Sequence, residues 1–590
     1  MSLSRREFLQ VLAAASAAGM NLAGCSKDAS SKTGGGLYDM PAFGNVSLLH
    51  FTDCHAQLLP IYFREPSINI GVGGARGKAP HLVGEELLKA FNIKPGSIQA
   101  HAFTYLDFTE ASRKYGKVGG FAYLSTLIKK MRGTRPGRTL LLDGGDTWQG
   151  SATALWTRGK DMVGAGNLLG VDAMTGHWEF TYKDTETISN IKRFKGEFIA
   201  QNVFVKDEAA FDYKFTDFPG YNEDSMRAFK PYIVKELNGV RVAVIGQAFP
   251  YTPIANPKFN IPDWTFGIRD EEMQRTVDEV RASRKPDVVV VLSHNGMDVD
   301  LKMASRVSGI DAILGGHTHD GVPTPIKVKN KGGVTLVMNS GSNGKYLSVL
   351  DLDVKGGKVR DFRYKLIPIF SNMLEPDAKM EAYIEKVRAP YKSRLGEKLA
   401  TNEGLLYRRG NFNGTFDQLI LDAMVKVRGA DLAFSPGFRW GTSILPGEDI
   451  TMDRVMDQTA ITYAKSTVNN MTGEQIKVIL EDIADNLFHE DPYYQQGGDM
   501  VRVGELKYTI KPTGKMGNRI SNMELKGKSI QANKTYKVAG WASVNEQPDS
   551  LPDIWDVVAE YCRDKKTINI KKPNIPKIKG IKNNPGLKYV

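Results

Sequence analysis

Two carboxylates and five histidines of this 590-residue chain stand in short polar segments, each directly after an apolar run. VSLLHF (46–51) leads into Thr52-Asp53-Cys54-His55, and TLLLD (139–143) into Gly144-Gly145-Asp146-Thr147. Thr175-Gly176-His177 adds a third segment. DVVVVLS (287–293) ends in His294-Asn295-Gly296, and DAILGG (311–316) in His317-Thr318-His319. A lone histidine is more often a satisfied core side chain than a ligand. Seven ligating residues at successive strand ends point instead to a metal site. They are too many for one four-coordinate zinc. Two metals about 3.5–4 Å apart, sharing one carboxylate, would use them all. Asp146, between Gly145 and Thr147, is the candidate bridge.

The elements that position these residues read as α/β. Runs rich in Val, Ile and Leu are buried strands, and polar residues at their carboxyl ends fit the usual placement of sites in such folds. Helical spacing over 121–131 and 271–283 separates some of the strands. A first α/β domain is expected over 45–370. Glu375-Pro376-Asp377 opens a connecting helix within 371–395, kinked by Pro390. A second, smaller domain is expected over 396–562, with helices at 415–427 and 472–487 and strands such as LKYTI and YKVAGWASV.

The ends differ from the body. Residues 1–25 hold Arg5-Arg6, a short apolar run and Leu22-Ala23-Gly24-Cys25, which read as a twin-arginine signal peptide with a lipoprotein box. Lipidation of Cys25, with membrane attachment, and plain cleavage both fit. Residues 26–44 read as a flexible tether, and the protein is expected in the periplasm. Three cysteines imply no disulfide framework, and Cys54 is expected as a buried, inert thiol. The net charge of +12 gathers at the ends, and 563–590 carry nine Lys/Arg against one acid. That basic, extended tail suits solubility or an acidic partner; no nucleic-acid partner is expected.

The motifs D-x-H, G-D, a G-N-H-E-like box, a later His and G-G-H-[ST]-H together resemble the calcineurin-like metallophosphoesterases, within the two-domain 5′-nucleotidase superfamily. The resemblance implies a four-layer α/β/β/α domain followed by a smaller α+β substrate domain. It implies one metal on Asp53, His55, Asp146 and His319, and a second on Asp146, His177, His294 and His317. Between them the family places a water or hydroxide that attacks in line.

Two letters of the box TGHWEF (175–180) are displaced. His177 stands where the family has its Asn ligand, and Trp178 where it has the general acid. An alkoxide leaving group needs an acid, worth roughly 10²–10⁴-fold, and an indole N–H does not release its proton. A persulfide leaving group needs none. FTDCHAQLLPIYFREPSINIG, GGDTWQGSATALWTRG, TGHWEFTY and YYQQGGDMVRVG together resemble the SoxB thiosulfohydrolase family. That resemblance implies two Mn²⁺ and a SoxYZ-type carrier protein with a thiosulfonated C-terminal cysteine. Arg439, in Phe434-Ser435-Pro436-Gly437-Phe438-Arg439-Trp440, would grip the sulfonate, and Trp178 would wall the pocket. A periplasmic 5′-nucleotidase with the same metals is the alternative.

Overall fold

The structure, a computed structural model, describes residues 36–588. The expected signal peptide, Cys25 and most of the tether therefore lie outside the described residues. Two six-stranded sheets face each other over 46–368. The strands are β1 (Val46–Phe51), β2 (Thr139–Asp143), β3 (Ala173–Met174), β4 (Glu197–Phe198), β5 (Tyr232–Leu237) and β6 (Val240–Gln247). They continue as β7 (Val288–Ser293), β8 (Ala312–Gly315), β9 (Ile326–Asn330), β10 (Gly333–Asn339), β11 (Tyr346–Lys355) and β12 (Lys358–Pro368). The first sheet has the order β12-β11-β1-β2-β3-β4 and the second β9-β10-β8-β7-β6-β5.

Period-2 alternation sorts their side chains into two faces each. Leu48, Leu140, Val244, Val290 and Leu314 fill the space between the sheets. Leu49, Phe51 and Leu141 face outward under the helix Phe121–Gly133, while Val289, Val291 and Ile313 lie under Asp270–Ser283. This is the four-layer α/β/β/α arrangement. The central strands are buried on both faces, so their sequences run continuously apolar and do not alternate, whereas the outer strands β5, β9 and β12 are part-exposed. β1, β2 and β3 are parallel to one another, as are β6, β7, β8 and β10. Their carboxyl ends open onto one region, where the seven expected ligands sit.

Between Pro368 and Lys398 the chain forms the helix Ala378–Arg388, capped by the Asp377 side chain. A 3-10 turn, Ala389–Tyr391, carries Pro390 at the expected kink, and a last turn runs Lys392–Leu395. Beyond it lies a four-stranded sheet that includes Leu432–Ser435 and Thr535–Trp541. Helices Thr415–Arg428 and Ile554–Lys565 pack on one side of it, and Gly473–Phe488 on the other. The last of these begins on a capping box made by Thr472 and Gln475.

The basic tail does not stand away from the body. Ile568, Ile581 and Leu587 recur along it and are buried, while most of its lysines are exposed. Thr567–Ile568 adds to the strand Lys398–Asn402, and Lys577–Ile578 adds to Leu506–Ile510. The last turn then crosses to the first domain: Asn69 N donates to Gly586 O at 2.7 Å, and Asn584 Nδ2 to Gly71 O at 2.9 Å. The apolar positions dock the segment, which leaves the lysines as its solvated face. Truncation after Gly580 removes Ile581 and Leu587, each worth about 1.5–3 kcal/mol of burial at most. The expected result is a lower melting temperature and faster amide exchange in residues 67–84. Unchanged exchange there would show that the strap does not hold that loop.

Candidate metal centre

The structure brings all seven predicted residues together, and all are buried. They form two quartets that share Asp146. One is Asp53, His55, Asp146 and His319; the other is Asp146, His177, His294 and His317. Within each quartet the ligating atoms lie within 4.8 Å of one another. One Asp146 oxygen is 3.3 Å from His177 Nδ1. The other is 3.1 Å from His294 Nε2 and 3.6 Å from His55 Nε2. Asp53 Oδ1 lies 3.3 Å from His319 Nε2. A carboxylate reaching into both groups is what a shared ligand requires.

The donor set fits two divalent cations. His177 and His317 have no hydrogen-bond partner on either ring nitrogen, and His294 Nε2 and His319 Nδ1 have none. Buried polar atoms are otherwise nearly always paired, so these imidazoles are aimed at something that accepts their lone pairs. His294 Nδ1 lies 2.6 Å from Gly144 O; a proton held there leaves Nε2 free to ligate. Burial holds His317 and His319 well below the usual histidine range, reinforced by neighbouring His177 and by Arg409 and Arg439 respectively. Both are therefore in the neutral, ligating form. Burial alone would lower His294, but the Asp146 and Asp53 carboxylates raise it, the same attraction that favours a cation at its Nε2.

The backbone adopts costly conformations to deliver these groups. Asp53, His55, Asp146, His317 and His319 all have positive φ, between 44° and 71°. Non-glycine residues rarely enter this region, and each such position costs roughly 1–3 kcal/mol. These turns take the chain out of extended geometry where the ligands emerge: Asp53 and His55 enter one quartet, while His317 and His319 enter different ones. Gly316 permits the close approach of the β8 loop: a Cβ there would lie 2.3 Å from Thr52 Oγ1 and 2.8 Å from Asp53 Oδ2.

Three contributors were not singled out in the sequence. Glu179 is fully buried, and its carboxylate accepts from the backbone N–H groups of Asp146, Thr147, Trp148 and His177 at 2.8–3.2 Å. It ties the bridging ligand to the displaced box, of which it and Gly176 are the letters left in place. Phe249 lies under two ligands, with ring centroids 4.1 Å from His177 and 4.0 Å from His317; nothing in its local sequence marks it. Arg409, second of an Arg pair, is buried and donates Nη2 to Thr318 O at 3.4 Å, while its Nε has no partner.

Arg439 and Trp178 also reach the site. Arg439 donates Nη2 to Gly498 O at 2.6 Å, lies 3.4 Å from Asp499, and leaves Nη1 unpartnered. Trp178 is 5% exposed and packs edge-on against Phe438 and Trp440 of the second domain. Its backbone N–H donates to Asp146 Oδ1 at 2.8 Å. These residues line a groove of about 470 Å³ beside the quartets. Cys54 is fully buried in the core, and burial raises its thiol well above the usual range, so it offers no nucleophile. Gln57 lies at 3.4 Å from His55 O and, across the domains, from Asp457 Oδ1.

Fold and site together define a two-domain, metal-dependent hydrolase of the metallophosphoesterase type. Residues 400–550 match the family model "5'-nucleotidase, C-terminal domain". The sulfate thiohydrolase SoxB of Thermus thermophilus is 34% identical in sequence, with a TM-score of 0.85 over 93% of this chain and 99% of that one. UshA of Yersinia enterocolitica is 26% identical over 71% of this chain and 80% of its own length. The trifunctional nucleotide phosphoesterase YfkN of Bacillus subtilis is 27% identical over 70% of this chain, which spans only 30% of that protein. The chain belongs to the SoxB family, within the 5′-nucleotidase superfamily.

Glu179→Gln keeps the size of the side chain but weakens a charge-assisted cluster of four N–H donors. Metal affinity is expected to fall about 10–100-fold with the fold retained, as read by metal titration and circular dichroism; unaltered affinity would refute the role. Asp146→Asn should lower the bound metal by both equivalents in elemental analysis. His319→Ala should remove one equivalent and keep the other, and equal losses in the two variants would contradict a shared Asp146.

Proposed function

We propose that this protein is a thiosulfohydrolase of the Sox sulfur-oxidation type. It hydrolyses the cysteine S-thiosulfonate of a SoxYZ-like carrier: R–S–S–SO3⁻ + H2O → R–S–S⁻ + SO4²⁻ + 2 H⁺. The bond broken joins the outer sulfane sulfur to the sulfonate sulfur, and its electron pair leaves with the persulfide. The observation that carries this reading is Trp178. At the position of the family's general acid stands an indole packed against Phe438 and Trp440, with no proton to give. A persulfide leaves as a stable anion and needs no proton at that moment.

The chain's own groups suit this chemistry. The unpartnered Arg439 Nη1 points to a hydrogen bond with a sulfonate oxygen. Trp178, Phe438 and Trp440 form a wall that keeps water from the sulfane sulfur. The groove beyond them has mainly apolar walls, including Met471, Ile479 and Ile483, and accommodates an extended peptide segment better than a phosphorylated sugar. The two quartets would hold two divalent cations, manganese by family resemblance, which when bound polarise the oxyanion and activate water. Export by the twin-arginine route, with a lipid on Cys25, completes the proposal and rests on Arg5-Arg6 and Leu22-Ala23-Gly24-Cys25. Among the described residues no helix is long and apolar enough to cross a membrane.

A 5′-nucleotidase is the second reading, favoured by the relatives UshA and YfkN. Manganese-loaded protein incubated with thiosulfonated carrier is expected to release sulfate, with far less phosphate from AMP in parallel. Phosphate without sulfate would reverse the choice. Trp178→His is expected to add phosphatase activity more than it removes sulfate release; the opposite pattern would assign Trp178 a shaping role. Loss of a charged hydrogen bond, about 1.5–3 kcal/mol, predicts a drop of roughly 10–100-fold in kcat/KM for Arg439→Ala, checked on the carrier substrate.

A further inference from the structure

Two of the cavities that touch the metal centre differ in character. The first is the large apolar groove. The second, about 50 Å³, is more polar than the groove and meets it at His317, Arg439 and Asp499. The partition between them is the backbone of Gly497 and Gly498, both at positive φ. A Cβ on Gly497 would stand 2.0 Å from His317 Nε2, so no side chain can occupy this point. Asn69, Thr318, Arg409 and Asn411 are on the walls of the smaller cavity.

Two of its cationic side chains keep free donors. Arg409, Arg439 and Arg502 converge on the single carboxylate of Asp499, at 3.7, 3.4 and 3.0 Å. Arg409 Nε and Arg439 Nη1 are buried with no hydrogen-bond partner. Of the other carboxylates on the wall, Asp298 is paired with His81 at 2.7 Å, and Asp320 accepts from Asn69 Nδ2 at 3.4 Å. A planar guanidinium with free N–H groups matches a tetrahedral oxyanion.

We propose that this cavity is a product port through which sulfate leaves past Arg439 and Arg409 while the carrier segment still fills the apolar groove. The proposal rests on the thiosulfohydrolase reading. A dianion leaving through the apolar groove would cross a poorly solvating, peptide-filled passage, where an uncompensated charge is expensive. The more polar cavity offers donors in its place. Sulfate is then the first product released and the persulfidated carrier the second.

Product inhibition of the manganese-loaded, full-length protein tests the order. Sulfate is expected to inhibit noncompetitively against thiosulfonated carrier, and persulfidated carrier competitively. Sulfate inhibition competitive with the carrier would overturn the port and leave the parent reading standing. Absence of sulfate, with phosphate formed from AMP, would overturn the parent reading and the port with it. Gln495 is half-buried on the rim of the smaller cavity and does not line the groove. Gln495→Trp is expected to lower kcat and the carrier KM together, leaving kcat/KM unchanged, because it slows a step after chemistry. A loss confined to kcat/KM, or no change in either constant, would contradict a port at this position.

Discussion

The centre depends on one buried carboxylate that touches no metal-ligand side chain. Glu179 gathers the N–H groups of Asp146, Thr147 and Trp148 from the loop after β2, and that of His177 from the loop after β3. Without it, four buried donors would lack partners, at roughly 1–3 kcal/mol each. Its position also fixes the distance between the shared carboxylate and the histidine that replaces the family's Asn. The arrangement has a cost of its own. Burial, and then the nearby charge of Asp146, raise the Glu179 carboxyl above its ordinary range. The four N–H bonds hold the charge in place against that pressure, so the loops on either side are coupled and are not independently adjustable.

The same coupling explains the strained backbone around it. Ligands come from the ends of β1, β2, β3, β7 and β8, that is, from both sheets of the first domain. Two facing sheets bring their strand ends to a common edge, but extended strands do not by themselves aim side chains from two sheets at one centre. Positive φ at Asp53, His55, Asp146, His317 and His319 resolves the conflict, with the surrounding core enforcing it. The anchoring bonds are specific: His317 N–H reaches both Asp53 oxygens at 2.9 and 3.0 Å, and Thr52 Oγ1 donates to Asp53 at 2.6 Å.

Local patterns carried much of this into the sequence. VSLLHF and TLLLD coincide with β1 and β2, and the Thr472 cap begins its helix where expected. The ligands were legible because a strand end is a local signal and a histidine there has few structural uses. Glu179, Phe249 and Arg409 were not, since their roles come mostly from residues tens of positions away. Arg409 acts on Thr318, and Phe249 bridges His177 and His317. The tail shows the same limit. Its composition marked it as basic and extended, whereas its docking depends on a pairing of Leu587 with Ile68 that no local pattern encodes.

Trp178 links the two domains to the choice of bond. Its ring packs with Ala152 of the first domain and with Phe416 and Trp440 of the second in one apolar cluster. Its N–H backbone bond to Asp146 keeps it beside the centre. At this position the wall offers no general acid. In the proposed reaction the leaving group accepts the electron pair unaided. The sulfate formed must still be solvated by something other than the wall, and the unpartnered Arg409 Nε and Arg439 Nη1 are the donors placed to do it.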